Sequence, residues 1–194
     1  MHELNGANQW HISIGGDYGL NFASYVGCSV GALRGPGGQH VWPASGSDPG
    51  LPDSDSLKLA YEQWWLELVR YKTDCILAGR HPLLHQPPGF ETVADPALRQ
   101  TCAGLWPAFI EWWEMEVGGQ TAMRFWEAAP DIYNYINEFE VQTGRNISTF
   151  TLRIDLVYGI TEPVKPVHGY LLLPPGYKYL VNKQWWITLL EEYC

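Results

Sequence analysis

The sequence predicts an α+β fold: an antiparallel sheet from N-terminal and C-terminal strands, packed against a helical middle segment of about residues 57–143. Three observations carry that expectation. Apolar and polar residues alternate at both ends of the chain, the period of a strand with two different faces. In the middle, apolar residues instead recur three and four apart, the period of a helix with one buried stripe. The two kinds of segment come in runs instead of alternating, which argues against a parallel β/α/β arrangement.

At the N-terminal end, Trp10, Ile12 and Ile14 alternate with His11 and Ser13, predicting a strand that stops at Gly15-Gly16. Phe22–Leu33, small and β-branched with Gly27 and Gly31 inside it, reads as a second extended segment. Residues 34–56, rich in Gly, Pro, Ser and Asp, predict a long loop. The first helical stripe is Leu57, Tyr61, Trp64, Leu68, Tyr71; the second is Leu98, Cys102, Leu105, Phe109, Trp112. Asp95-Pro96 opens the second as N-cap and first helical residue. Pro107 lies inside it, so a kink or two helices meeting near Gly104 are expected. A third helix is predicted from Pro130 to Thr143, stopped by Gly144.

Phe150, Leu152, Ile154, Leu156 and Tyr158 then alternate with Thr149, Thr151, Arg153 and Asp155, predicting a strand with one solvated face. Tyr170–Leu173 and Tyr177–Val181 flank Pro174-Pro175-Gly176 and read as two strands joined by a tight turn. Trp185–Leu190 fits either a strand or a terminal helix. No linker composition interrupts the 194 residues, so one domain is expected.

Twelve basic against twenty-one acidic residues give a formal net charge of −9. A field of that sign repels phosphate backbones and anionic lipid, so neither nucleic acid nor a membrane surface is an expected partner. A basic protein is. No apolar run reaches the roughly 18–20 residues of a membrane span, and Met1-His2-Glu3-Leu4-Asn5-Gly6 lacks the basic start and apolar core of a secretion signal. Cys28, Cys75, Cys102 and Cys194 are widely spaced with no C-x-x-C pair, the usage of reduced, mostly buried thiols in a cytoplasmic protein.

Two strings suggest chemistry. Gly27-Cys28-Ser29-Val30-Gly31 matches the G-x-S-x-G nucleophile elbow, and Asp155 and His168 follow in the order of a hydrolase triad. The elbow needs a helix after the serine, which Gly35-Pro36-Gly37-Gly38 cannot start. His81 and His85 stand four apart, the spacing of a helical metal pair, but Gly79 and Gln86-Pro87-Pro88-Gly89 leave room for barely one turn. The glycines at 35–38 lack the Lys-Ser/Thr of a phosphate loop. No cofactor is expected.

The aromatic content is the most unusual feature. Ten tryptophans include the dyads Trp64-Trp65, Trp112-Trp113 and Trp185-Trp186. Neighbouring helical residues point about 100° apart, so one ring of a dyad can enter the core while the other lies at its edge. Glu111, Glu114 and Glu116 surround the second dyad. Carboxylates beside edge indoles suit the capture of a basic protein. The expected site is therefore Trp65, Trp112, Trp113, Glu111, Glu114 and Glu116. The expected function is a non-catalytic acidic binding module, such as an immunity or inhibitor protein for a basic toxin or enzyme. The alternative is a small enzyme holding an apolar or aromatic small molecule in a tryptophan-lined pocket, with Ser29, Asp155 and His168 as its workers.

Over about fifteen residues, Leu105-Trp106-Pro107-Ala108-Phe109-Ile110-Glu111-Trp112-Trp113 through Gly118-Gly119 faintly resembles the Leu-Pro…aromatic…Gly-Gly stretch of the Knr-type superfamily. Trp106 separates the Leu from the Pro here. The superfamily includes many bacterial toxin-immunity proteins, so the resemblance points toward the binding-module reading.

Overall fold

The computed structural model describes residues 1–5, 10–34, 54–80 and 90–193. It is an α+β structure: a five-stranded mixed sheet built from N- and C-terminal strands, with five helices in the segment between them. The described chain falls into two compact units. One comprises residues 1–16, 120–156 and 163–194; the other comprises residues 17–119 and 157–162.

The first unit holds the sheet. Its strands are β1 (His2–Asn5), β2 (His11–Gly16), β3 (Thr151–Leu156), β4 (Val164–Val167) and β5 (Tyr170–Leu173), in the order β1-β2-β3-β5-β4. The sheet is mixed, not antiparallel throughout: β2 with β3 and β3 with β5 run parallel, and only the two outer pairs are antiparallel. The whole helical segment separates β2 from β3, long enough for a crossover, and β4 takes the edge so that β5 returns beside β3. β4 carries Pro166 at that edge, where a missing donor costs no ladder bond.

The predicted solvated face of β3 is open at Thr149 and Thr151, half-covered at Arg153 and closed only at Asp155. Asp155 is buried, its carboxylate accepting hydrogen bonds from Tyr170 Oη at 2.8 Å and Arg153 Nε at 3.4 Å. A buried polar residue is thus satisfied by one partner across the ladder, Tyr170, and one two residues back on its own strand, Arg153. Residues 177–181 form turns, not a strand. Their apolar side chains dock on α6 (Lys183–Leu190): Tyr179 lies edge-on to Trp185 at 5.5 Å, and Trp186 Nε1 donates to Leu180 O at 2.9 Å. α4 (Gly119–Glu127), β1 and the β4 strand were not legible in the sequence. α5 (Ile132–Thr143) runs as expected, capped by Asp131 and ended by Gly144 at φ 65°.

The second unit is helical: α1 (Tyr18–Ser29), α2 (Asp55–Leu77) and α3 (Pro96–Glu114). The segment expected to be extended from Phe22 is α1. Asp17 caps it by accepting from Leu20 N at 2.7 Å, and every residue from Gly19 to Cys28 is buried. A helix enclosed on all sides has no polar face, so its period leaves no trace in the sequence. Gly31, at φ 72°, closes it. α2 keeps the predicted stripe except at Tyr71, which is 46% exposed; Lys72 and Cys75 point inward instead.

α3 is one continuous helix through Pro107. The carbonyl that loses its donor belongs to Ala103, and Ala103, Gly104 and Pro107 are all exposed, so the proline sits on the solvent side of the helix, where an unpaired carbonyl costs least. Its inner ring is Trp113, with Trp112 half-buried. Phe22 lies at the centre of the unit's aromatic core, stacked on Phe90 at 5.2 Å and edge-on to Trp106 at 4.8 Å.

Candidate functional site

Ser29 is the last residue of α1, and its Oγ donates to Tyr25 O at 2.8 Å, the back-bond of a helical serine. A nucleophile elbow places its serine where a helix starts; here one ends. Gly27 has a packing reason, since a Cβ there would lie 2.3 Å from the Tyr61 ring and hydroxyl. Asp155 is held inside the sheet by Tyr170 and Arg153. His168 is exposed in the turn between β4 and β5, its ring 4.8 Å from that of Tyr193. His81 and His85 lie outside the described residues. Among the described residues no group of three or more His, Cys, Asp or Glu could hold a metal ion. No described helix is long and apolar enough to cross a membrane.

Cys28, Cys75 and Cys102 are buried and unbridged. Burial pushes the Cys28 thiol up to about 12, with a hydrogen bond from Ser24 opposing it weakly, and burial likewise raises Cys102 to about 12. Both thiols therefore stay protonated where an unfolded cysteine, near 8.5, ionises. Two outcomes are expected. Alkylation of Cys28 and Cys102 in the folded protein at pH 8, followed by peptide mapping, should run on the order of a thousandfold slower than in denaturant. The thiols' contribution to stability is fully present below pH about 8.5 and is lost as pH rises toward 12, so urea midpoints should fall across that window. Rapid labelling at pH 8 would contradict both.

The three dyads divide as helix geometry requires. Trp64, Trp113 and Trp186 are buried, while Trp65, Trp112 and Trp185 are half-buried. Trp65 stacks on Tyr61 at 6.4 Å. Trp112 leans edge-on against Tyr158 at 5.6 Å and meets Phe109 at 6.1 Å. Trp113 is 5% exposed, stacked on Phe109 at 5.6 Å; it is a core residue and offers no ring to a partner.

The loop that receives Trp112 is itself clamped to α1. Asn21 Oδ1 accepts from Tyr158 N at 2.9 Å, and Ser24 Oγ donates to Tyr158 O. Both groups of one peptide residue are thereby taken by two side chains one helical turn apart. Gly118-Gly119 fixes the dyad from the other direction. A Cβ on Gly118 would fall 2.0 Å from Trp112 O, and one on Gly119 2.3 Å from the Trp112 ring and 2.7 Å from that of Trp113. Only glycines let the chain turn this closely over the indoles.

Past that packed pair the surface opens. Glu111, Glu114 and Glu116 are all exposed. Met115, 51% exposed, stands between Glu114 and Glu116, and Val117, 87% exposed, follows them. Sequence reasoning passed over these two apolar groups because they follow the helix and carry no period. Glu114 approaches Tyr18, whose hydroxyl is raised by burial first and by that carboxylate second. The end of α3 therefore presents three carboxylates, two solvated apolar side chains and the edge of one indole. Among the described residues this surface brings together no nucleophile–base pair. Comparison with protein-family models, with curated proteins and with solved structures finds no match for this chain.

Proposed function

We propose that the protein is a non-catalytic binding module that engages a basic protein partner through the end of α3. An immunity or inhibitor protein acting on a basic toxin or enzyme is the form this function takes. The supporting observation is the run Glu111–Val117, in which exposed Glu114 and Glu116 flank exposed Met115, exposed Val117 follows, and exposed Glu111 stands beside half-buried Trp112. Carboxylates speed encounter with a positive surface, and apolar groups among them supply contact area once the partner arrives. The net charge of −9 extends the same field over the rest of the chain.

The test is affinity capture from extract at low salt, followed by purification of the retained protein and direct binding measurements. The partner should be basic, and its affinity should fall with salt. The triple variant Glu111→Lys, Glu114→Lys, Glu116→Lys should weaken it by about tenfold or more while folding normally, because exposed charges contribute little to stability. Retention of no protein at any salt, or binding indifferent to the three reversals, would refute the reading.

A further inference from the structure

α2 carries two apolar stripes. Leu57, Tyr61, Trp64, Leu68 and Cys75 face the core. Leu59, Leu66 and Leu77 are 57%, 68% and 65% exposed. At about 100° per residue, the spacings of seven and eleven put these three leucines within roughly 20° of one line, on the side of the helix opposite the core stripe. The line runs about 27 Å along the axis. Single exposed leucines are ordinary; an aligned row is the seam by which one helix receives another.

The charges along the row identify what fits it. Asp55 and Glu62 lie along one edge, and Glu67 and Asp74 along the other, all exposed. Arg70, exposed and eleven residues after Leu59, stands in the row itself between Leu66 and Leu77, outnumbered by the flanking acids, and Lys58, half-buried, pairs with Asp55 at 3.7 Å. A second copy of the chain would bring Glu62, Glu67 and Asp74 against their own kind. A helix with leucine-like residues on one face and Lys or Arg on both flanks would meet apolar with apolar and acid with base. We infer that the outer face of α2 is a docking ridge for a basic amphipathic helix of a partner protein. The inference rests on the partner-binding reading and adds to it a second contact and the partner's local structure.

The probe is a fluorescent peptide of roughly 18 residues, Leu on one helical face and Lys elsewhere, titrated into the intact protein. Wild type should bind it with an affinity that falls as salt rises. Leu59→Ser, Leu66→Ser, Leu77→Ser together should weaken it about tenfold or more, with the urea midpoint unchanged because the sites are exposed. A scrambled peptide of the same composition should bind about tenfold more weakly, and the α3 charge-reversal variant should bind within about twofold of wild type. Equal binding by the serine variant, or by the scrambled peptide, overturns the ridge. So does a dimer in sedimentation velocity that the serine variant abolishes, since the occupant is then a second copy. If the ridge fails while partner capture still depends on Glu111, Glu114 and Glu116, the function proposed above stands without it; if capture fails too, both fall.

Discussion

Replacing Asp17 with Ala should remove about 3–5 kcal/mol of folding stability, the cost of stripping the partner from a buried charge. Lys72 of α2 has no exposed side-chain surface, and its ammonium pairs with the Asp17 carboxylate. The same carboxylate caps α1 through Leu20 N, so part of the loss, about 0.5–2 kcal/mol, belongs to the cap. The two contributions separate experimentally. Asp17→Asn keeps a capping oxygen while removing the charge, and should fall between wild type and Asp17→Ala. Adding Lys72→Met to Asp17→Ala should restore much of the loss, because a hydrophobic side chain of similar length needs no counter-charge. Urea unfolding of the four proteins decides it. A loss under about 1 kcal/mol in Asp17→Ala would mean that the pair does not hold α1 to α2.

Gly27→Ala should be the next most damaging change. Alanine ordinarily stabilises a helix by about 1 kcal/mol over glycine, yet the new Cβ would sit 2.3 Å from the Tyr61 ring and hydroxyl. Both helices are buried there, so the overlap is relieved only by backbone movement, at about 1–3 kcal/mol net. Tyr61→Phe should behave oppositely. The Tyr61 hydroxyl is buried with no hydrogen-bond partner among the described residues, and an unsatisfied buried hydroxyl costs roughly 1–3 kcal/mol. Phenylalanine should be neutral or stabilising, and in the Gly27→Ala background should recover part of the loss. A destabilising Tyr61→Phe would show that the hydroxyl has found a partner.

These two sites show where the sequence was legible. The stripes of α2 and α3 and the Asp131 and Gly144 boundaries of α5 were readable because those helices keep one wet face. α1 was not, since burial on all sides erases its period, and its glycines then imitated an extended segment and a hydrolase motif. β3 was found with its wet face, and misjudged only at Asp155, which looks solvent-facing until Tyr170 reaches it across the ladder and Arg153 from two residues back. Residues 177–181 imitated a strand because their apolar side chains, Tyr179 and Leu180 above all, are buried by docking on α6 from a turn. At the candidate site the three glutamates were legible, but the stripe Leu98, Cys102, Leu105, Phe109, Trp112 put the wrong ring of the dyad in the core: Trp112 lies at its edge. Trp113 was assigned to the surface although its 100° offset from Trp112 places it in the core. Met115, Val117 and the row Leu59, Leu66, Leu77 needed exposure values that no pattern of residues supplies.

The proposed function requires that negative charge at the end of α3 guide a partner to the apolar groups beside it. The most direct measurement is the association rate of the purified partner over a range of ionic strength, for wild type and for the Glu111→Lys, Glu114→Lys, Glu116→Lys variant. Wild type should associate more slowly as salt rises, and the variant should be slower by about tenfold at low salt and nearly flat in its salt dependence. Superimposable rate curves for the two proteins would contradict the account.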